Sequence, residues 1–446
     1  MQGKTTLLKF GGTSLEDTSA FERAASIVCS CENELRVVVV SAMSGITDAL
    51  LVSARLAAQG ELNQSIALIE TQITRHLAVA ENLLHTSQPR AFSSIKSSQQ
   101  EIENLLDELY DVRYLSSKLQ DQIVSYGEQL SAKLMALILA QHGQQAVYVD
   151  ARHCILTNEE HGAAQPLLEE SRQLTRATLL PLLETRSIPV IGGFFAISTS
   201  GATTTLGRGS SDYTATLISA SLHASETQIW TDVSGVFSAD PQLIKTAQPI
   251  PWLSYDEAVE LARFGGKVLH PKTVQPVAKI GIPLRVCNSR SPESPGTIVS
   301  AEPTGAKKNG IKAIAHKAGI TVIDFASSRA FMSNGFRNAV EQIFHEHHTT
   351  VDIVTKGALE ASLICEPTNR LPAIVQNLQK LGAVRVENDL AVICCVGITA
   401  AALETVLLDT EPGIHWRHAS SVSSIALVPA QRVAILVSAL HERIVR

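Results

Sequence analysis

The residues of this chain best suited to chemistry stand in two segments far apart in the sequence. An apolar run ends in Lys9-Phe10-Gly11-Gly12-Thr13-Ser14, and much later comes Thr203-Thr204-Thr205-Leu206-Gly207-Arg208-Gly209-Ser210-Ser211-Asp212. Each combines a cation with glycines, which let a backbone approach a ligand closely. Together they read as two halves of a phosphate and carboxylate site. At the end of a strand, Gly11 and Gly12 would turn their N–H groups toward phosphate oxygens, with a helix N-terminus behind them. Lys9 would offset the charge of a phosphoryl group in transfer. The G-x-x-x-x-G-K-[ST] spacing of a Walker A loop is absent. Arg208 is a bidentate fork for a carboxylate, and Asp212, in the first turn of the next helix, would orient Lys9. The plain alternatives are a strand-to-helix turn at Lys9 and a helix cap by Ser210 or Ser211. A cap gives no reason for an arginine between two glycines.

Four further segments carry candidate groups. Ser125-Tyr126-Gly127-Glu128 ends a helical run, where Glu128 is either an acceptor for a substrate ammonium or a solvated helix carboxylate. Trp230-Thr231-Asp232-Val233-Ser234-Gly235-Val236-Phe237, with Asp240-Pro241 after it, resembles a nucleotide-base and ribose loop or is a strand-end turn; Asp232 would be a ribose or magnesium partner. Phe264-Gly265-Gly266-Lys267-Val268-Leu269-His270-Pro271 puts Lys267 beside glycines, within reach of ATP phosphates. The hydroxyls of Ser41-Ala42-Met43-Ser44-Gly45-Ile46-Thr47 either hold substrate or start a helix. His345-Glu346-His347-His348 lacks a defined ligand spacing, so no metal site is expected there.

The elements that must position these groups alternate through the first 300 residues. Strands are expected at Thr5–Lys9, Arg36–Val40, Ala146–Asp150, Ile188–Gly192, Gln228–Trp230 and Pro283–Val286. They are apolar on both faces, as in a parallel sheet covered by helices. A long helical stretch from about Leu51 to Leu139 interrupts them, with Ile102, Leu105, Leu106 and Leu109 on one face. Ser289–Gly310, rich in Pro, Gly, Ser and Lys, reads as a linker. Beyond it the pattern becomes two β-α-β-β-α-like units of similar element order, which suggests an internal duplication.

Composition excludes several classes. Across 446 residues, 45% are hydrophobic and 18% charged, as in a soluble enzyme of two or three domains. A net charge of −6 argues against nucleic-acid or membrane-surface binding, so an anionic substrate must be held by local cations. The seven cysteines form no C-x-x-C pair, which gives neither a disulfide framework nor a zinc site. With no signal-like start and no apolar run of a membrane span's length, a cytoplasmic protein is expected.

Taken together, Lys9–Ser14, Ser41–Thr47, Ser125–Glu128, Thr203–Asp212, Trp230–Pro241 and Phe264–Pro271 resemble the aspartate kinases of the amino acid kinase family, nearest the monofunctional, lysine-regulated class. The tail resembles a tandem pair of ACT domains, ferredoxin-like βαββαβ modules that bind amino acids. The resemblance covers essentially the whole chain. It implies an α/β catalytic domain over 1–295 with a mainly parallel central sheet between helices, and a linker at 296–312. The ACT units would be 313–388 and 389–446, intertwined. It further implies transfer of phosphoryl from MgATP to the β-carboxylate of L-aspartate, giving 4-phospho-L-aspartate. That is the first step toward lysine, threonine, methionine and diaminopimelate.

By the same resemblance Lys9 would stabilise the transferring group, with Gly11 and Gly12 as donors and Asp212 positioning Lys9. Glu128 and Arg208 would bind the aspartate ammonium and carboxylate, with Thr47, Gly209 and Ser211 beside them. Thr231, Asp232, Phe237, Gln242, Lys267 and Val268 would contact ATP; magnesium would arrive with the nucleotide. Ser333, Phe336, Val351, Asp352 and Thr355 would contact an amino-acid effector, and a homodimer or dimer of dimers is implied. The chain departs from the pattern at Ser210 (usually glycine), Ser234 (proline), Phe237 (tyrosine) and Gln242 (arginine). Lys356-Gly357-Ala358 stands where small hydroxyl residues and a glutamate are usual, and Arg337 where an apolar residue is usual. A lysine there would repel a lysine effector, so weak lysine inhibition or another effector is expected. A sensor with a dead kinase core is the competing reading; the intact Lys9, Glu128, Arg208 and Asp212 set argues against it. Sibling kinases acting on glutamate, acetylglutamate or carbamate lack the Ser-x-Gly-Glu and Thr-Thr-Leu-Gly-Arg segments.

Overall fold

The computed structural model describes residues 4–31, 35–207, 209–266, 268–301, 311–328, 335–355, 359–397, 415–419 and 422–444. Packing divides the chain into two compact units. One is Met1–Val236 with Pro251–Tyr255 and Lys272–Ala301; the other is Phe237–Ile250 with Asp256–Pro271 and Glu302–Arg446.

The first unit begins β1 (Thr5–Phe10), α1 (Thr18–Ser30), β2 (Leu35–Val40), then α2 (Ile46–Gln59), α3 (Leu62–Leu83), α4 (Gln88–Val112) and α5 (Ser117–Gln141). It continues β3 (Ala146–Val149), β4 (Leu156–Thr157), α6 (Leu168–Glu184), β5 (Ile188–Gly192), β6 (Phe195–Ser198), β7 (Thr203–Thr205), α7 (Ser211–Leu222) and β8 (Glu226–Thr231). After β9 (Trp252–Ser254) the chain forms α8 (Tyr255–Arg263), which belongs to the second unit from Asp256 on, and returns to the first with α9 (Pro271–Ala278), β10 (Leu284–Asn288) and β11 (Thr297–Ser300). The eight-stranded sheet runs β3-β5-β2-β1-β8-β10-β11-β9, and every pairing in it is parallel except β10 with β11. All six expected strands form. β11 lies in the stretch read as linker. Its Pro- and Gly-rich surroundings hide a short strand that pairs with β10 and β9.

Strand alternation sorts β1 between two cores. Leu8 and Phe10 pack with Phe21, Leu50 and Leu130 beneath α1 to α5. Leu7 faces the other way, with Leu179, Ala215 and Ile218 under α6 and α7. Lys9 shares the parity of Leu7, which turns it toward α7. A smaller sheet, β4-β6-β7, stands apart from the main one.

In the helical layer, His76 of α3 is fully buried. Its Nδ1 stands 2.9 Å from the Gln72 carbonyl and its Nε2 has no hydrogen bond. Burial pushes the imidazole down to about 4, against the weaker opposing pull of that carbonyl. The unfolded chain therefore binds a proton below about pH 6.5 that the folded one refuses until about pH 4. Stability should fall across that window by roughly 3 kcal/mol from this group. His76→Leu should flatten the acid limb of a thermal-midpoint profile between pH 7 and 4.5; an unchanged limb would clear His76 of the effect.

The second unit holds β12 (Ala313–Ala326), α10 (Phe336–Glu346), β13 (Asp352–Thr355), β14 (Glu360–Cys365) and α11 (Leu371–Gln379), then β15 (Ala383–Val396), β16 (His415–Ala419), β17 (Ser423–Pro429) and α12 (Val433–Ile444). Its sheet order is β13-β14-β12-β15-β17-β16. The two halves mirror each other: the first strand of each lies at the centre, its third next, its second at the edge. That symmetry is the duplication read from the element order. β12 and β15 are 14 residues each and pair antiparallel. The helix expected near Ala401–Leu408 lies outside the described residues.

Residues 237–250 pack into this unit. Ser238 accepts the N–H of Ile314 on its carbonyl at 2.8 Å, and its hydroxyl lies 2.8 Å from His441 Nε2. Ala239 and Ile244 join the core under β15, β17 and α12.

Candidate functional site

β1 delivers Lys9 at its C-terminal end, and α7 delivers Asp212 in its first turn. Lys9 Nζ stands 2.5 Å from Asp212 Oδ1, with the side chains only 8% and 16% exposed. The pairing follows from alternation on β1 and from the turn that aims the start of α7 at the strand end.

Glu128 does not end its helix. It sits in the middle of α5, whose residues around it are buried nearly all round. It is only 4% exposed, and its Oε2 has no hydrogen-bond partner. Burial pushes the carboxyl up to about 8; a backbone N–H at Ala42 and the charge of Lys9 pull the other way without prevailing. The solvated-carboxylate alternative therefore fails. A buried carboxyl with an idle oxygen is a seat for a cation.

Close backbone approach assembles the rest. A Cβ on Gly127 would lie 2.8 Å from Ala42 Cβ, so that glycine lets α5 settle against the Ser41–Thr47 loop. A Cβ on Gly193 would lie 2.7 Å from Ser211 Cα, so the turn after β5 must be glycine for α7 to start where it does. Gly193 was not among the candidates read from sequence; the Gly-Gly pair closing an apolar strand was the available signal.

Gly11 differs from expectation. Its N–H donates to the Trp230 carbonyl at 3.0 Å, joining β1 to β8, so it is not a bare donor for phosphate. A Cβ there would stand 3.6 Å from Lys9 Nζ, so its small size keeps the space over the lysine open. Gly12 begins a short turn of 3-10 helix beside the Ala42 carbonyl. Thr47 lies half-buried in the first turn of α2.

Ser210 caps nothing: its hydroxyl turns back to the Gly207 carbonyl at 2.5 Å, and no side-chain cap bond forms. The departure from glycine at this position is tolerated because its φ is −85°, while Gly209 before it takes +74°. Ser211 is buried at the helix start. Arg208, Lys267 and Ser333 lie outside the described residues, as does Lys356-Gly357-Ala358.

Thr231 ends β8 and Asp232 follows it, exposed, with the Thr231 hydroxyl 3.2 Å from its Oδ1. Ser234 receives the Asn288 side-chain N–H at 2.9 Å, a bond proline would not offer. Phe237, Gln242 and Val268 belong to the second unit; Phe237 bridges to Pro249 and Gln242 is exposed.

Of the effector candidates, Phe336 is buried and stacked on Phe325 at 5.3 Å, a core position. Val351 packs at the edge of the same core. Asp352 is already paired: Arg263 Nε donates to its Oδ1 at 2.7 Å, and Arg263 also reaches the Ile353 carbonyl. The backbone of Thr355 ends β13. Among the described residues no cluster of His, Cys, Asp and Glu is arranged to hold a metal.

A lysine at a strand end, held by an aspartate at a helix start, with a buried carboxyl that keeps one oxygen unbonded, is an arrangement of an α/β enzyme suited to anionic groups and an ammonium. Residues 4–288 match the model of the amino acid kinase family. The lysine-sensitive aspartokinase 3 of Escherichia coli strain K12 is 34% identical over 402 residues, spanning 87% of this chain and 86% of that protein. The crystal structure of E. coli aspartokinase III with aspartate and ADP, in its R-state, superposes with a TM-score of 0.85 at 32% identity, covering 99% of this chain and 100% of that one. The T-state complex of the E. coli enzyme with lysine and aspartate gives 0.77 at the same identity and coverage. The chain belongs to the amino acid kinase family and, within it, to the aspartokinases.

Proposed function

We propose that this chain phosphorylates the β-carboxylate of L-aspartate at the expense of MgATP, under allosteric control by an amino acid. The observation that carries the reading is the Lys9–Asp212 pair beside a buried Glu128 with a free oxygen. The nucleophile is a carboxylate, already ionised near neutral pH, so no general base is needed. The protein's work is positioning and charge neutralisation. Glu128 takes the substrate ammonium, and Arg208 takes the α-carboxylate, with Thr47, Gly209 and Ser211 around it. Lys9, held in place by Asp212, meets the charge that builds on the phosphoryl oxygens. Thr231, Asp232, Phe237, Gln242, Lys267 and Val268 receive the nucleotide. Asp232, an exposed carboxylate at a strand end, has the hard oxygen chemistry magnesium prefers, and the ion would neutralise phosphate charge when it arrives with ATP.

The chain acts in the cytoplasm as a homodimer or dimer of dimers, with residues 313–388 and 389–446 as its regulatory units. Among the described residues no helix is long and apolar enough to cross a membrane. Asp352 is the carboxylate suited to an effector's ammonium, and the Arg263 guanidinium occupies it. A lysine effector must displace that guanidinium, and the sequence adds a further like charge at Lys356, four residues on. Lysine inhibition is therefore expected only above about millimolar concentration, some 4 kcal/mol of binding.

The test is ADP release by purified protein with MgATP and L-aspartate, with and without lysine, threonine or methionine. Aspartate-dependent turnover is expected. Its absence from folded protein that still binds an amino acid would favour a sensor, and strong lysine inhibition below a millimolar would refute the effector argument.

A further inference from the structure

Asp121 was not singled out in the sequence, yet it is the most heavily engaged buried carboxylate in the first unit. It is 0% exposed, in the second turn of α5. Its Oδ1 accepts the Thr205 hydroxyl at 2.6 Å. Its Oδ2 accepts the Thr205 N–H at 3.1 Å and the Gly162 N–H at 2.9 Å, and faces His161 Nδ1 at 3.0 Å. Burying a carboxylate is costly unless donors replace its water, and here the Thr205 hydroxyl and the Thr205 and Gly162 N–H groups all donate.

Those donors belong to two short segments, β7 and the turn at 161–164. β7 is three residues long and sits at the edge of its small sheet, paired only with β6. Its outward N–H at Thr205 would be an open edge without Asp121. On the same side the Thr205 carbonyl takes the Ala164 N–H at 2.8 Å, so the 161–164 turn and β7 are clamped together on one carboxylate. Two residues beyond Thr205 the chain turns through Gly207, at φ +93°, where an added Cβ would meet the Gly162 carbonyl first, at 3.8 Å. Gly209, Ser211 and Asp212 follow within five residues in sequence.

Glu128 lies seven residues further along α5, two turns on and therefore on the same face. One rigid helix thus carries the acceptor for one end of the amino-acid substrate and the clamp for the segment that receives the other end. We infer that Asp121 is a positioning residue for aspartate binding. Through Thr205 and the 161–164 turn it sets the distance between Glu128 and the start of α7 at Ser211 and Asp212, and so the length of the amino acid that fits. The inference rests on the aspartate kinase reading, in which those two places hold the ammonium and the α-carboxylate.

The test compares wild type, Asp121→Asn, Thr205→Val and the double variant, with KM for aspartate and for ATP measured separately and fold checked by near-UV circular dichroism. Asparagine turns an N–H₂ toward donors; valine removes the hydroxyl but keeps shape and backbone N–H. The aspartate KM should rise about tenfold or more in Asp121→Asn and several-fold in Thr205→Val, with the ATP KM changed less than about twofold. The double variant should be no worse than Asp121→Asn alone, because both substitutions break one linkage. Preference for aspartate over glutamate should narrow in Asp121→Asn, a change that a merely structural role would not produce. An aspartate KM within about twofold of wild type in both variants, or aspartate and ATP KM rising together, would overturn the inference. A wild-type chain that releases no ADP with aspartate would overturn the activity reading and, with it, this one.

Discussion

Lys9→Ala should lower kcat by about 10²–10³-fold or more while leaving the fold intact, because a preorganised charge donor at a phosphoryl-transfer site is worth roughly 3–4 kcal/mol. The side chain is buried beside β1 and held at 2.5 Å by Asp212, so its geometry is fixed before substrate arrives. That is the condition under which an electrostatic group acts without reorganising during the reaction. Loss of the ammonium leaves the Asp212 carboxylate facing the incoming phosphates, so repulsion adds to the lost attraction. Lys9→Arg provides the sharper control. It keeps the charge, but a planar fork does not fit where only 8% of the lysine side chain reaches solvent. It should remain at least about tenfold below wild type. The measurement is single-turnover ADP release at saturating aspartate and MgATP. A near-normal rate in Lys9→Ala would remove the residue from the mechanism.

The sheet of the first unit was legible because its strands are buried on both faces. Val37 to Val40 is therefore an unbroken apolar run, and in β1 Leu7, Leu8 and Phe10 are buried with Lys9 the one charge among them, a pattern that only helices can cover. The regulatory strands were harder. β12 and β15 run on through Ala318-Gly319 and Glu387-Asn388, polar or small stretches that end an apolar pattern without ending a strand. Sequence alone also gave no hint that residues 237–250 and 256–271 would pack with Glu302–Arg446. Arg263–Asp352, Glu257–Lys312 and Glu260–Ser423 all lie within the second unit, together with Phe237, Gln242 and Val268. Three of the groups read as nucleotide contacts thus belong to the same compact body as the strands read as effector contacts.

The site was legible in its charges and less so in its shape. Lys9 and Asp212 announced themselves by type and context. Their partners in assembly did not: Gly193 matters because of an approach to Ser211 that exists only in three dimensions, and Asp121 because of donors 40 to 84 positions away. Glu128 was read on the wrong footing. Periodicity separates buried from exposed faces on an amphipathic helix, but α5 is buried nearly all round, so the pattern gave no sign that its carboxyl is sealed from water.

That sealing makes the behaviour of Glu128 the second large expected effect. Glu128→Gln should raise the KM for aspartate by about 10²-fold, since it removes the charge that meets a desolvated ammonium. The pH dependence follows from the environment. With no substrate, burial holds the carboxyl up near 8, so at pH 7 the free enzyme keeps it mostly protonated. An arriving ammonium favours the ionised form and expels the proton. Aspartate binding at pH 7 should therefore release close to one proton, read by calorimetry as a binding enthalpy that changes with the ionisation enthalpy of the buffer. For the same reason the apparent affinity for aspartate should climb with pH and level off near pH 8, where the proton no longer competes. Glutamine has no proton to lose, so Glu128→Gln should abolish the buffer dependence and flatten the climb. Buffer-independent binding by the wild type at pH 7 would mean that Glu128 is already ionised before aspartate arrives or stays neutral beneath it. In either case the ammonium would not be trading places with a proton at this carboxyl.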